Sequence, residues 1–294
     1  MIITQLIGGL GNQMFQYAAG RSLAAHHNTE LKLDITQFTK IKVIFPRQYC
    51  LSNFRIMETF ATEKELQYFN RHSSHVNFFY SSLYCALTGN PNLFLKKEPC
   101  FQFDPDFFAL PDNVYLEGYW QSEKYFKNIE NIIRSEFTLK ENPDQSNLFM
   151  AEKILKSNAI SIHIRRGDYV TDPVTFDHHG ICSLEYYHRS IDNVVEKISE
   201  PHFYIFSDDP GWVKQNLHIN YAHTYVTHNL GSKDYLDLWL MSQCKHHIIA
   251  NSSFSWWGAW LGTNPGKMVI APKQWFNKST NNTRDLIPDS WYKI

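Results

Sequence analysis

Along this chain the spacing of apolar residues alternates between strand-like and helix-like periods, starting at the first residues. Residues 2–7 (IITQLI) read as a buried strand, Gly8, Gly9 and Gly11 as a tight turn, and 12–27 as a helix packing through Phe15, Ala18, Ala19 and Leu23. A short strand at 31–34 (LKLD) completes a βαβ unit. From 36 to 113 the periods blur into aromatic, Pro-punctuated sequence, read here only as helices and loops. VYLEGYW (114–120) is again a strand, followed by a helix from Ser122 with Tyr125, Ile129, Ile132 and Ile133 in helical spacing. The polar segment 141–147 (ENPDQSN) is the natural boundary. Beyond it, strands at 160–164, 202–206, 223–226, 246–250 and 267–271 alternate with helical stretches at 184–199, 210–217, 231–243 and 254–261. That alternation predicts a parallel, doubly wound sheet, in which ligands sit at the carboxyl ends of strands. The expected architecture is α/β, with domains over residues 1–150 and 151–294.

Composition narrows the classes of partner. Lys and Arg number 28 against 29 Asp and Glu, a formal charge of −1, which argues against wrapping nucleic acid. An anionic ligand must then be met by a few placed cations. The apolar fraction of 43% excludes general disorder. Five scattered cysteines (Cys50, Cys85, Cys100, Cys182, Cys244) form no CxxC and read as reduced thiols. Met1 is followed at once by IITQLI with no basic region, and no apolar run approaches a membrane span. The expectation is a cytoplasmic protein with at most peripheral contact at the inner face of a membrane. The sequons at Asn251, Asn277 and Asn281 carry no weight without a secretory route.

The chemistry concentrates in a few stretches. In SIHIRRGDYV (161–170) a strand ends at Ile164 and delivers Arg165, Arg166 and Asp168 to its carboxyl end. Arg suits bidentate contact with phosphate. Adjacent side chains in an extended segment point oppositely, so one Arg faces the ligand while the other is free to pair with Asp168. In FSDDPGW (206–212) Asp208 is placed to accept from a ribose or guanine edge, whereas Asp209 before Pro210 reads as a helix N-cap. In IIANSSFSWWGAWL (248–261) a helix opens after a strand, and Ser252, Ser253, Phe254 and Ser255 stand where N–H groups and the helix dipole favour an anion. Trp256, Trp257 and Trp260 read as core. In GGLGNQMFQ (8–16) the Gly9–Gly11 turn admits close backbone approach, with Asn12 and Gln13 offering amides; it is neither the dinucleotide fingerprint nor a Walker loop. Asp104-Pro105-Asp106 has the letters of an Asp-x-Asp metal clamp but reads as a turn. The adjacent pairs His26-His27, His178-His179 and His246-His247 do not suggest a shared metal.

Together GGLGNQMFQYA, HIRRGDY and NSSFSWWGAWL, supported by LEGYWQSEKYF (116–126), resemble the bacterial α-1,2-fucosyltransferase family in order and in span. The resemblance implies a GT-B-like fold, two Rossmann-like domains facing across a cleft, with an acceptor-side domain first and a GDP-fucose-binding domain second. It implies inverting transfer of fucose from GDP-fucose to the 2-hydroxyl of a terminal galactose on a glycan, without a metal or other cofactor. It assigns His163, Arg165, Asp168 and Asn12 to catalysis. Gly9, Gly11, Asn12, Gln13, His163, Arg165, Arg166, Asp208, Ser252, Ser253, Phe254 and Ser255 are assigned to donor binding. Asp168, Glu117 and His163 remain alternatives for the proton acceptor, as does the leaving phosphate. Tyr119 and Trp120 are candidates for stacking on acceptor sugar. Rival readings are a fucosyltransferase of another linkage, a transferase using another nucleotide sugar, and a non-catalytic carbohydrate- or nucleotide-binding protein.

Overall fold

The computed structural model of the chain describes residues 1–39, 47–72, 94–229, 231–277 and 282–294; Cys85, Asn281 and parts of the unassigned 36–113 stretch lie outside them. Contacts divide the chain into one unit of Met1–Lys140 with Arg284–Leu286 and another of Glu141–Thr283 with Ile287–Ile294. Residues 141–150 therefore go with the second unit rather than the first, and a short return of the chain near its end goes with the first.

The first unit is built on a four-stranded parallel sheet of β1 (Ile2–Gln5), β2 (Leu31–Asp34), β3 (Phe94–Lys97) and β4 (Val114–Glu117), in the order β2-β1-β4-β3. Between β1 and β2 runs α1 (Leu10–His26), which is buried on nearly all sides. Its small residues permit this: a Cβ at Gly20 would stand 3.0 Å from that of Thr4 on β1. The polar residues enclosed with it are satisfied, as burial demands. Gln16 receives the Ile7 N–H at 2.9 Å and donates to the Gly118 carbonyl at 3.1 Å. The strand expected at 114–120 stops at Glu117, because Trp120 adopts a left-handed φ of 56°. Trp120 is fully buried against Phe107 and Tyr125, which removes it from any acceptor platform; Tyr119 stacks on Phe101. After Ser122 come two short 3₁₀ turns and then α3 (Glu130–Glu136), in place of one continuous helix. The preceding helix, α2 (Glu63–His72), and the edge strand β3 both lie in the stretch without clear periods. Asp285 staples this unit: its carbonyl accepts from the Ser122 hydroxyl at 2.7 Å, and its carboxylate accepts from Phe103 N–H at 3.1 Å and pairs with Lys124 at 2.6 Å.

In the second unit six parallel strands lie in the order β10-β9-β8-β5-β6-β7. They are β5 (Asn158–Ile164), β6 (Pro201–Ser207), β7 (His223–Val226), β8 (His246–Ile248), β9 (Val269–Ala271) and β10 (Tyr292–Lys293). Helices α4 (Gln145–Leu155), α5 (Gly167–Thr171), α6 (Pro173–His179), α7 (Leu184–Val195), α8 (Pro210–Asn216), α9 (Asp234–Gln243) and α10 (Ser253–Leu261) connect them. The expected alternation is present, with ends shifted by a few residues and with α4, α5, α6 and β10 additional to it. Ile160, Ile162, Ile164, Phe203 and Ile205 pack with Tyr187, Ile191 and Val194 of α7 to form the core on one face of the sheet. Trp256, Trp257 and Trp260 are buried as expected, Trp256 packing on Trp291 as well. The chain builds outward from β5 through β6 and β7, then returns to the other side of β5 with β8. Strand order reverses between β5 and β8, which is where doubly wound sheets bind ligands.

Candidate functional site

Arg165 leaves the carboxyl end of β5 and Ser253 opens α10 five residues after β8, so the reversal point is lined by both expected motifs. The ring of His163, on β5, lies 5.4 Å from that of Phe254 in the first turn of α10. His163 is buried, and its Nδ1 has no hydrogen-bond partner among the described residues. Burial, reinforced by the charge of Arg165, lowers its pKa to about 3, so the imidazole is neutral at physiological pH. A neutral ring with an unused buried nitrogen next to a helix N-terminus is suited to a ligand that brings its own partner atom.

The two arginines divide as their alternation requires, but the pairing differs from the expected one. Arg165 itself, not Arg166, pairs with Asp168, and also with Asp208 at 2.8 Å. Arg166 lies over the Trp212 ring at 3.6 Å and pairs with Asp209 at 3.2 Å, so its guanidinium is engaged away from the strand end. Burial opposes the charge on Arg165, but Asp208 and Asp168 outweigh it and hold the group firmly protonated. Asp208 also receives the Arg166 N–H at 2.8 Å, and a Cβ at Gly167 would run into its carboxylate. Asp208 is therefore a clamp on Arg165 and on the turn, rather than an open acceptor for ribose or guanine. Asp209 caps α8 as expected, receiving the Trp212 N–H at 3.1 Å. Two arginines against three carboxylates leave the cluster at 2 − 3 = −1, so it offers no bulk positive charge.

Other expected ligand groups prove to be internal. Ser255 donates to the carbonyls of Ala250 and Ser252 and is buried, and Ser252 makes no side-chain cap; Ser253 and Phe254 are half-buried at the opening of α10. In the first unit Gln13 is enclosed, donating to the carbonyls of Gly8 and Gln48 and receiving the Cys50 N–H, so it staples a loop and has no group left for a donor. Asn12 remains half-buried and accepts from Gln121 at 2.9 Å. Gly8 has a φ of 77°, and a Cβ there would stand 2.6 Å from the Asn12 amide, so the turn requires glycine. Among the described residues a Cβ at Gly9 would meet nothing nearer than Arg47 at 4.0 Å, although the Gly9 carbonyl already accepts the Asn12 and Gln13 N–H groups, whereas Gly11 is buried.

Residues that sequence reasoning did not single out complete the site. Tyr169 on α5 carries the Arg165 guanidinium 5.3 Å from its ring centroid and stacks on His179. Asn251, noticed only as a sequon, is buried and donates to the His179 carbonyl at 2.9 Å and the Trp275 carbonyl at 3.2 Å. The His-His-Gly run at 178–180 was the available signal, since Gly180 adopts a φ of 63°. Glu117 pairs with Lys97 at 3.1 Å on the first unit's sheet. Asp104 accepts the Asp106 N–H and pairs with Lys96 at 2.5 Å, which makes the Asp-Pro-Asp a turn. Among the described residues, no group of three or more His, Cys, Asp and Glu is arranged to hold a metal ion, and no helix is long and apolar enough to cross a membrane. Cys100, Cys182 and Cys244 are free thiols.

Known proteins with related sequences are transferases. The chain is 35% identical to an alpha-1,2-colitosyltransferase of Escherichia coli, over 100% of this chain and 99% of that one. It is 33% identical to the O-antigen biosynthesis glycosyltransferase WbnK of E. coli, over 98% of this chain and 99% of WbnK. A galactoside 2-alpha-L-fucosyltransferase of Caenorhabditis elegans is 28% identical over 69% of this chain and 59% of its own length. Among solved structures, NodZ alpha-1,6-fucosyltransferase soaked with GDP-fucose aligns with a TM-score of 0.51 at 15% identity, covering 88% of this chain and 91% of NodZ. Fucosyltransferase NodZ from Bradyrhizobium gives 0.51 at 14% identity with the same coverage. That likeness is one of fold, and the GT-B-like α/β class expected from the sequence is the one found. The arginine-bearing strand end, the serine-rich helix opening and the glycine turn all fall within residues 1–294, which match the model of glycosyl transferase family 11 throughout, and the chain belongs to that family.

Proposed function

We propose that this family 11 glycosyltransferase moves L-fucose from GDP-β-L-fucose to the 2-hydroxyl of a terminal galactose, inverting the fucose centre. The observation that carries the reading is Arg165, held by Asp168 and Asp208 at the sheet's reversal point beside the opening of α10. Inverting transfer passes through an oxocarbenium-like transition state while charge builds on the departing diphosphate. Arg165 and the N–H groups at Ser253 are the partners for that charge, and His163 Nδ1 offers one further contact. Each charge-assisted contact of about 1.5–3 kcal/mol, if made only in the transition state, corresponds to roughly 10–150-fold in rate. The second unit is proposed to take the donor and the first the acceptor, with Gly9 and Asn12 the first unit's own candidates for phosphate contact. Asp168, released when Arg165 turns to the diphosphate, is proposed to take the acceptor's proton; His163 is buried against Phe254, and Glu117 is engaged by Lys97. The reaction is proposed to need no metal.

A colitosyl donor is the second reading, favoured by the full-length 35% identity to the E. coli colitosyltransferase. Purified protein incubated with GDP-fucose or GDP-linked colitose and a panel of galactosides, with linkage analysis, separates the two. The expected product is α-1,2-fucosylated galactoside, formed equally with EDTA and abolished by Arg165→Ala in a folded protein. Product from colitose alone moves the assignment to the second reading. GDP bound in calorimetry without transfer to any acceptor identifies a binding protein instead.

A further inference from the structure

The guanidinium of Arg165 has two carboxylates on one side, and what opposes their pull is an aromatic stack that no role yet given accounts for. Tyr169 presents its ring to Arg165 at 5.3 Å, and the His179 imidazole lies on that ring with centroids 4.6 Å apart and planes 11° from parallel. His179 in turn touches Phe276 at 5.4 Å, and His178 touches Phe276 at 4.9 Å, so the stack is backed by the segment after β9. Its other support is the turn before α10. Asn251 donates to the His179 carbonyl at 2.9 Å, and the Tyr169 hydroxyl donates to the Asn251 carbonyl at 3.4 Å. The same turn thus fixes both the helix end at Ser253 and the ring on which Arg165 rests.

We propose that Tyr169 and His179 are positioning residues for Arg165: their stack holds the guanidinium over the strand end, in register with the opening of α10, against the pull of Asp168 and Asp208. A guanidinium over an aromatic face gains from the ring quadrupole while its N–H groups stay free to be exchanged from carboxylate to diphosphate. Burial, with the neighbouring charge of His178 and Arg165, lowers the His179 pKa to about 4, so the ring adds no repulsion against the guanidinium at neutral pH. Arg165 is the group that touches donor; Tyr169 and His179 act through it. This inference rests on the donor-site reading above.

The test is a double-mutant cycle on full-length protein, read by GDP affinity and by separate donor and acceptor constants. Tyr169→Leu is expected to raise the GDP Kd and donor KM roughly 5–30-fold, the range a desolvated cation–π contact covers. The acceptor KM should stay unchanged, and Tyr169→Phe, which keeps the ring, should return donor KM to within about twofold of wild type. In an Arg165→Lys background the same Tyr169→Leu change should cost clearly less, because the ammonium lacks the planar guanidinium that stacks on the ring and is held in register by it. His179→Leu, at a half-exposed position, gives a second route should Tyr169→Leu not fold, with the same signature on donor KM. Equal GDP affinity in folded wild type and both Leu variants overturns the positioning role and leaves the donor site standing. An undiminished loss in the Arg165→Lys background also overturns it, since that pattern belongs to a general packing defect. Wild-type protein that binds no GDP overturns the donor-site reading and the proposal together.

Discussion

Asp168 shows at the scale of one residue why a motif and its chemistry are separate questions. Its carboxylate is spent on Arg165 in this structure, and in the proposed donor complex Arg165 turns to phosphate instead. Asp168→Asn removes a negative charge beside the phosphate position without removing volume. GDP should bind at least as tightly to the variant as to wild type, while kcat falls by roughly 10²–10⁴ if Asp168 takes the acceptor proton. Unchanged kcat would hand that task to the leaving phosphate. Arg165 itself was legible, because a buried strand ending in Arg can only deliver it to a carboxyl end. Gln13, Ser255 and Asp208 were not: a residue type announces donors and acceptors, but only the fold shows whether they are already used. Tyr169 and His179 were missed for a related reason, since a stacking partner ten residues away leaves no period in the sequence.

Among elements, α10 deserves separate treatment because its two ends do different jobs. Its N-terminus, which has no side-chain cap from Ser252, lies at the site. Its C-terminus is closed by Lys267, whose ammonium donates to the carbonyls of Ala259 at 2.6 Å and Gly262 at 2.7 Å. A cation there also complements the helix dipole. Lys267→Met should therefore cost about 1–3 kcal/mol, read as a fall in Tm of roughly 2–4 °C per kcal/mol. An unaltered Tm would mean water replaces the ammonium without loss. The strands of the second unit were legible because buried parallel strands are short unbroken apolar runs. The elements that escaped have no such run: β3 is Phe-Leu-Lys-Lys at an edge, β10 has only two residues, and α4 begins inside the polar segment read as the domain boundary, with Asp144 as its cap.

At the scale of the molecule, pH acts most clearly through Asp237 on α9. Burial, opposed by the amide of Asn229 and helped by Asp234, raises its pKa to about 7. The sign follows from proton counting: between the ordinary carboxyl pKa near 4 and 7, the folded chain holds a proton that the unfolded chain has released. That contribution to stability therefore falls as pH rises through this window and is level above it. Asp237→Asn keeps the contact with Asn229 and removes the penalty. It should raise Tm at pH 8 by at least roughly 2–4 °C, with less effect at pH 5, as scanning calorimetry at both values would show. An equal gain at both pH values would exclude the carboxylate as its cause.

The staple at Asp285 has a consequence for how the protein is made. Residues that seal the first unit are translated only after nearly all of the second, since Asp285 lies 285 − 140 = 145 residues beyond Lys140. At ribosomal rates of about 5–20 residues per second, Ser122, Lys124 and the Phe103 amide, 161–182 residues upstream, wait roughly 8–36 s for their partner. A nascent chain of this kind cannot finish its domains in the order in which it makes them. A fragment cut at Lys140 is an unsealed unit rather than an isolated domain, and the last stretch of synthesis closes the first part of the molecule.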